Sequence, residues 1–208
     1  MALWQQSLFD QGESVTLGSL VPPPGRTVLG GGAWTEYRPG WVGRQDLLFE
    51  HLAEAVPWQL EERPMYDRTV AVPRLVCFYP EGEELPHPVL DEARELLDRR
   101  YGDGAGGALC TTGLCLYRDG RDSVAWHSDR IGRHTGTDTV VAIISLGERR
   151  TFLTRPVSGG PALRHRLGGG DLFVMGGRFQ QTWEHGVPKT SRPVGPRISV
   201  QFRTRGAG

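Results

Sequence analysis

The chain has 208 residues, an ordinary apolar fraction of 38% and equal numbers of basic and acidic residues, 24 of each, so one domain with a single core is expected. Its three cysteines, Cys77, Cys110 and Cys115, give an odd count with no CxxC pair, which excludes a disulfide framework and a structural zinc site and fits a reducing, cytoplasmic compartment. The zero net charge hides an asymmetry: residues 149–208 hold 11 Lys+Arg against 2 Asp+Glu, leaving 13 against 22 for residues 1–148, a basic half compatible with a phosphate-bearing partner.

The first six residues, Met1 to Gln6, lack the basic and long apolar regions of a secretory signal, and no run approaches membrane-spanning length; a monomer without membrane contact is expected. Residues 1–35, with Val21-Pro22-Pro23-Pro24-Gly25 and Leu29-Gly30-Gly31-Gly32, carry little helical periodicity and read as an arm draped on the domain. From Gly43 the pattern changes: Leu47, Leu48, Leu52 and Ala55 fall on one helical face, with Asp46 in an early turn and Pro57 as the stop. A second helix is predicted over 88–101, where Leu90, Ala93, Leu97 and Tyr101 share a stripe and Gly102 closes it. Beyond Gly107, short β-rich runs at about 109–117, 123–127, 138–146, 151–155, 162–167, 171–175, 179–185 and 197–204 alternate with Gly, Pro and Asp turns, a spacing that implies a barrel or two-sheet roll. The two helices would buttress one sheet from outside.

Within this β-rich half, Trp126-His127-Ser128-Asp129 places an imidazole and a carboxylate two positions apart, on one side of an extended chain. A third ligand from a facing strand is available in His185. Two histidines and a carboxylate form the facial set that holds non-heme Fe(II) and leaves positions for a co-substrate and O2. Downstream, Arg197-Ile198-Ser199-Val200-Gln201-Phe202-Arg203 alternates polar and apolar residues strictly, a half-buried strand whose arginines suit bidentate recognition of a carboxylate.

His127-x-Asp129, then His185, then Arg197-x-Ser199-x-Gln201-x-Arg203 resembles the signature of the AlkB family of Fe(II)/2-oxoglutarate dioxygenases. Further segments look like family landmarks in family order: Val72-Pro73-Arg74, Leu114 to Gly120, Ser145-Leu146-Gly147, Gly170 to Gly177 and His185-x-Val-Pro-Lys189. The resemblance implies a mainly β fold with flanking helices, a double-stranded β-helix (jelly roll, cupin-like) over 109–208 preceded by a helical and hairpin extension over 36–108 that serves nucleotide recognition. It implies Fe(II) held by His127, Asp129 and His185, with 2-oxoglutarate and O2 as co-substrates. By the same resemblance, Arg197 grips the distal carboxylate of 2-oxoglutarate with help from the Tyr117 phenol, Ser199 lies beside it, and Arg203 stands near Asp129. Two positions depart from the family pattern. Cys115 stands where an Asn amide is usual, and Ser199 and Gln201 replace Asn and Thr or Ser; these bear on co-substrate affinity more than on reaction type.

The implied reaction oxidises an N-methyl group on a base such as 1-methyladenine or 3-methylcytosine in alkylated DNA or RNA, with release of formaldehyde and succinate. An enzyme acting on a base must unstack it, and Met65-Tyr66-Asp67 occupies the place where relatives acting on duplexes carry a wedge; an ordinary hairpin is the alternative. Arg74 is expected to line the substrate pocket and Trp183 to brace His185. An oxygenase of the same core acting on RNA, tRNA, protein or a small metabolite, and a non-catalytic metal-binding jelly roll, remain as alternatives, the latter disfavoured by the two arginines.

Overall fold

The computed structural model describes residues 14–23, 25–65, 68–104, 106–129 and 136–204, with backbone alone over 61–71. In chain order the elements are β1 (Thr16–Leu17), β2 (Arg26–Val28), β3 (Ala33–Arg38), β4 (Val42–Gly43), α1 (Gln45–Ala55), β5 (Gln59–Met65), β6 (Arg68–Tyr79), α2 (Pro88–Tyr101), β7 (Leu109–Tyr117), β8 (Val124–His127), β9 (Thr139–Gly147), β10 (Arg150–Pro156), β11 (Leu163–Leu167), β12 (Asp171–Gly177), α3 (Phe179–Thr182), β13 (Trp183–Val187) and β14 (Arg197–Thr204).

Eight strands form a major sheet in the order β2-β3-β12-β9-β14-β7-β6-β5, and four form a minor sheet, β11-β10-β13-β8. All pairings are antiparallel. The central strand β9, Thr-Val-Val-Ala-Ile-Ile-Ser-Leu-Gly, is buried from Thr139 to Leu146 because both of its faces are covered. Val140, Ala142, Ile144 and Leu146 join Ile198, Val200 and Phe202 of β14 and the stripes Leu48, Leu52 of α1 and Leu90, Ala93, Leu97 of α2 in one apolar cluster. Val141 and Ile143 turn to the other side, where Phe173, Met175, Phe152, Phe179 and Val187 fill the space between the sheets. Fully burying each such side chain contributes about 1.5–3 kcal/mol, so the helices and the minor sheet are held on opposite faces of one strand set. The architecture is a double-stranded β-helix buttressed by two helices.

The stripe over 88–101 is realised as α2, whose first turn is capped by His87: the Val89 N–H donates to His87 Nδ1 at 3.1 Å. Its end differs from the expected left-handed glycine. Gly102 keeps right-handed helical angles, and its lack of a side chain serves space instead, since a Cβ there would stand 2.8 Å from Asp98 Oδ1, the atom that accepts the Leu109 N–H at 2.8 Å.

Two further expectations are corrected. Arg26–Val28 and Ala33–Arg38 are hydrogen-bonded strands of the major sheet and not a draped arm: β3 pairs with β12 from Ala33↔Gly177 to Arg38↔Leu172. A carboxylate inside that strand hid the signal, for Glu36 is buried and is satisfied by Tyr101 Oη at 2.7 Å and Arg26 Nε at 3.0 Å. Residues 179–182 form a single helical turn where a continuous strand was expected. The Thr182 N–H and Oγ1 both donate to the Arg178 carbonyl, at 3.0 and 2.9 Å, and the turn buries Phe179 and Gln180.

Candidate active site

In the minor sheet β8 and β13 pair with His127 directly opposite His185. Both imidazoles therefore leave the sheet on one side, their ring centroids 4.2 Å apart. Asp129 lies two residues beyond His127, where the strand has ended, and brings Oδ2 to 4.0 Å from His185 Nε2. One ligand atom from each of the three lies within 4.8 Å of the others, close enough to share a single ion.

Burial lowers the basicity of both imidazoles; His185, with His127 adding to the effect, is pushed down to about 3. They are therefore neutral, the state that ligates a metal. His127 Nδ1 lies 2.9 Å from the Ala125 carbonyl, which assigns the proton to Nδ1 and leaves the Nε2 lone pair for the ion. For Asp129, burial would raise the pKa, but the Arg203 guanidinium, with Nη2 3.1 Å from Oδ1, leads the interactions that outweigh it and hold the carboxyl below the usual range. Asp129 Oδ2 is buried and has no hydrogen-bond partner among the described residues. A buried, ionised, unpaired oxygen is costly, and a divalent cation between it and two neutral imidazoles removes that cost. The residues fit such a cation.

Packing fixes the three groups. His185 stacks on Phe152 with centroids 5.4 Å apart and planes at 27°. Asp129 is anchored through its backbone, whose N–H donates to Gln180 Oε1 at 2.9 Å; the helical turn α3 is what lets Gln180 reach back. Trp183 braces His185 only indirectly. It stacks on Phe179 at 6.1 Å, which in turn sits 6.3 Å from His185, while its indole N–H donates to the Gly30 carbonyl at 3.0 Å.

The opposite wall is β14 and β7. Their register puts Arg197 against Tyr117, Ser199 against Cys115 and Gln201 against Gly113, so the polar face of β14 points between the sheets while Ile198, Val200 and Phe202 face the helices. Arg197 is 1% exposed. Its Nη2 donates to Ser145 Oγ at 2.6 Å, and its charge centre lies 5.3 Å from the Tyr117 ring, yet Nε and Nη1 have no partner. Burial lowers its pKa, but a guanidinium stays charged across the physiological range, and a buried cation with two idle donors fits a carboxylate arriving with the co-substrate. Burial also raises the Tyr117 pKa, so the phenol is a proton donor. Arg203 Nη2 donates to Gln201 Oε1 at 3.0 Å and Gln201 Nε2 to Ser199 Oγ at 2.7 Å, a chain running from the Asp129 carboxylate along the cavity wall.

One cavity of about 60 Å3 gathers Arg74, Cys115, Tyr117, His127, His185, Arg197, Ser199 and Arg203, with Asp129 attached through Arg203. Arg74 is 8% exposed and enters from β6. Of the expected wedge, Met65 ends β5, its backbone paired with Arg68; its side chain and Tyr66 lie outside the described residues. Gln180 and Phe152 were not singled out from sequence, and Ser145 and Gln201 were quoted there only within family motifs, with no contact assigned. Of these, Gln201 carried a signal, its place in the polar register of β14. The others owe their roles to distant pairings that no local pattern reports.

A family model described as the 2OG-Fe(II) oxygenase superfamily matches residues 79–203. The human Alpha-ketoglutarate-dependent dioxygenase alkB homolog 3 is 32% identical over 191 residues, covering 80% of this chain and 64% of that protein. DNA oxidative demethylase ALKBH2 of Arabidopsis thaliana is 27% identical over 191 residues, covering 74% of this chain and 60% of that protein. The chain thus spans somewhat under two thirds of the length of these relatives. The solved structure of OsALKBH1 superimposes with a TM-score of 0.54 at 16% identity, over 86% of this chain and 100% of that one, a likeness of fold. The His-Asp-His cluster beside a buried arginine, on this sheet topology and with these relatives, places the chain in the AlkB family of the 2OG-Fe(II) oxygenase superfamily.

Proposed function

We propose that this protein is an Fe(II)- and 2-oxoglutarate-dependent dioxygenase that oxidatively demethylates N-alkylated bases, 1-methyladenine and 3-methylcytosine, in DNA. The observation that carries the oxygenase reading is the juxtaposition, in one buried cavity, of the three-residue cluster with the two idle donors of Arg197. The substrate class is supported by what the relatives are named for, a DNA oxidative demethylase among them.

His127 Nε2, His185 Nε2 and an Asp129 oxygen would hold Fe(II), with Arg203 orienting Asp129 through the 3.1 Å contact to Oδ1. Arg197 and the Tyr117 hydroxyl would bind the distal carboxylate of 2-oxoglutarate. Fe(II) with 2-oxoglutarate and O2 supplies the two-electron oxidation that inserts one oxygen atom into a C–H bond. The balance is N–CH3 + 2-oxoglutarate + O2 → N–CH2OH + succinate + CO2, after which N–CH2OH loses formaldehyde and leaves the restored N–H. Phe152, Ile143 and Val187 line the cavity and keep bulk water from the reacting atoms. Arg74, on the β6 side of the same cavity, contacts the base.

Succinate and formaldehyde are measured with 2-oxoglutarate against oligonucleotides carrying 1-methyladenine or 3-methylcytosine in DNA and RNA, a methylated protein and free methylated nucleosides. Stoichiometric products from methylated DNA are expected, and Asp129→Ala abolishes both Fe(II) binding and turnover while the fold persists. Products from the RNA or protein substrate alone overturn the DNA reading, and turnover retained in Asp129→Ala overturns the metal assignment.

A further inference from the structure

The face of the minor sheet turned away from the metal cluster bears a second concavity. On β10 and β11 the residues packed inward are Phe152 and Thr154, His165 and Leu167; the opposite parity pairs Thr151 with Arg166 and Leu153 with Arg164, and these four face outward. With the segment after β13 they enclose a groove of about 560 Å3. Among the described residues five cations open into it, Arg149, Arg164, Arg166, Lys189 and Arg192, and no carboxylate lines it. A sixth, Arg150, is committed elsewhere, its guanidinium bound to the carbonyls of Asp119, Asp122 and Pro188 at 2.7–3.0 Å.

Both acidic groups of the basic half are already engaged. Residues 149–208 contain only Asp171 and Glu184. Asp171 is fully buried, accepts from Tyr37 Oη and the Gly40 N–H at 3.0 and 2.9 Å, and stands 3.9 Å from Arg149. Glu184 is paired with Arg155. Five of the eleven basic residues of 149–208 thus share one groove; Arg149 is partly offset by Asp171 and Arg192 borders Glu148, while Arg164, Arg166 and Lys189 add positive charge that favours a polyanion.

We propose that this groove binds the phosphodiester backbone of a nucleic-acid strand, outside the cavity where the base reacts. Choosing a nucleic acid rests on the substrate reading above. Five cations spread along a groove exceed what one phosphate group can engage, so a chain of regularly spaced phosphates is the matching ligand. The concave shape receives a strand, whereas a lipid surface is met by a flat or protruding face.

The test is fluorescence anisotropy with an unmodified, labelled single-stranded DNA, using the full chain and Arg164→Gln/Arg166→Gln. Five phosphate contacts give a slope of log affinity on log salt of about −3.5, which weakens binding about 100-fold between 50 and 200 mM salt; two contacts fewer give about −2.1. The double variant is expected to show the shallower slope with unchanged melting temperature and unchanged 2-oxoglutarate turnover in the absence of nucleic acid. A slope the variant leaves unchanged, no salt-dependent binding by the parent chain, or tighter binding to phosphatidylserine vesicles than to the oligonucleotide overturns the proposal. Unmodified DNA carries no lesion, so the two readings fail separately. If the slopes are as expected but no methylated oligonucleotide is demethylated, the groove stands and the substrate reading falls. If demethylation proceeds while the variant's slope matches the parent's, the groove falls and the substrate reading stands.

Discussion

Arg197 is the cavity residue with two unused donors, Nε and Nη1, on a side chain 1% exposed. Replacing it by Ala leaves the incoming carboxylate without its charged partner, a loss of about 2–5 kcal/mol for a buried pair truncated on one side. The KM for 2-oxoglutarate is therefore expected to rise roughly 30-fold or more, with Fe(II) affinity little changed; steady-state kinetics and an equilibrium iron titration check the split. Gly113 is the silent counterpart on the facing strand. A Cβ there would stand 2.7 Å from Arg203 Nη1 and 3.2 Å from Gln201 Oε1. Because those are the ends of flexible side chains, Gly113→Ala should leave the melting temperature within a few degrees but draw Arg203 off Asp129, lowering kcat about 10- to 100-fold, in the range set by misplaced catalytic groups. A kcat equal to that of the parent would show that Arg203 does not need its present position.

At the scale of elements, the two strands that carry the cluster are tied together by one buried arginine. Arg150 of β10 holds the turn before β8 through the Asp119 and Asp122 carbonyls and the end of β13 through the Pro188 carbonyl. The same turn is closed by Asp122, which accepts from the Arg118 N–H, Nε and Nη2 at 2.8–2.9 Å. Arg150→Met removes three charge-assisted bonds and is expected to destabilise the fold by roughly 3 kcal/mol or more, read as the shift of a urea unfolding midpoint. Burial alone would raise the Asp122 pKa, but the Arg118 bonds more than reverse this and its folded-state value is depressed. The stability it contributes is therefore fully present above the unfolded carboxyl pKa of about 3.9 and is lost as pH falls through the folded value. Asp122→Asn should flatten the acid limb of the stability profile and lower the plateau above it. The β5–β6 hairpin gives the element-scale test of substrate handling: Met65→Ala/Tyr66→Ala is expected to slow demethylation of double-stranded DNA much more than of single-stranded DNA, since extruding a paired base costs a few kcal/mol that a single strand has already escaped. Equal losses on matched oligonucleotides would reject a wedge.

For the whole molecule, stability comes from the two apolar clusters on either face of β9 and not from the metal site. Chelation should therefore abolish turnover and leave circular dichroism unchanged, in contrast to a domain folded by its metal. Anaerobic addition of 2-oxoglutarate, at about 100 times its dissociation constant, to the Fe(II)-loaded protein should stabilise by about 2.7 kcal/mol, a rise in melting temperature of roughly 5–10 °C for a domain of this size. Loss of the folded signal on chelation would contradict this division.

The sequence by itself determined those features that have a short period or a rigid spacing. The stripe of α2 and the alternation of β14 follow from how side chains project along a local backbone and are present, although β14 is buried on both faces and not half-buried; His127 and Asp129 do converge, but β8 ends at His127. Only the tertiary structure decided what depends on register between distant strands. It set His185 opposite His127, Arg197 opposite Tyr117 and Gly113 beneath Gln201, brought Gln180 to Asp129 by breaking an expected strand with one helical turn, and drew β3 into the sheet by giving Glu36 two partners from elsewhere in the chain. A hydrogen-bonded pairing between residues many positions apart leaves no periodic trace in either segment, and a buried polar residue looks like a surface one until its partner is known.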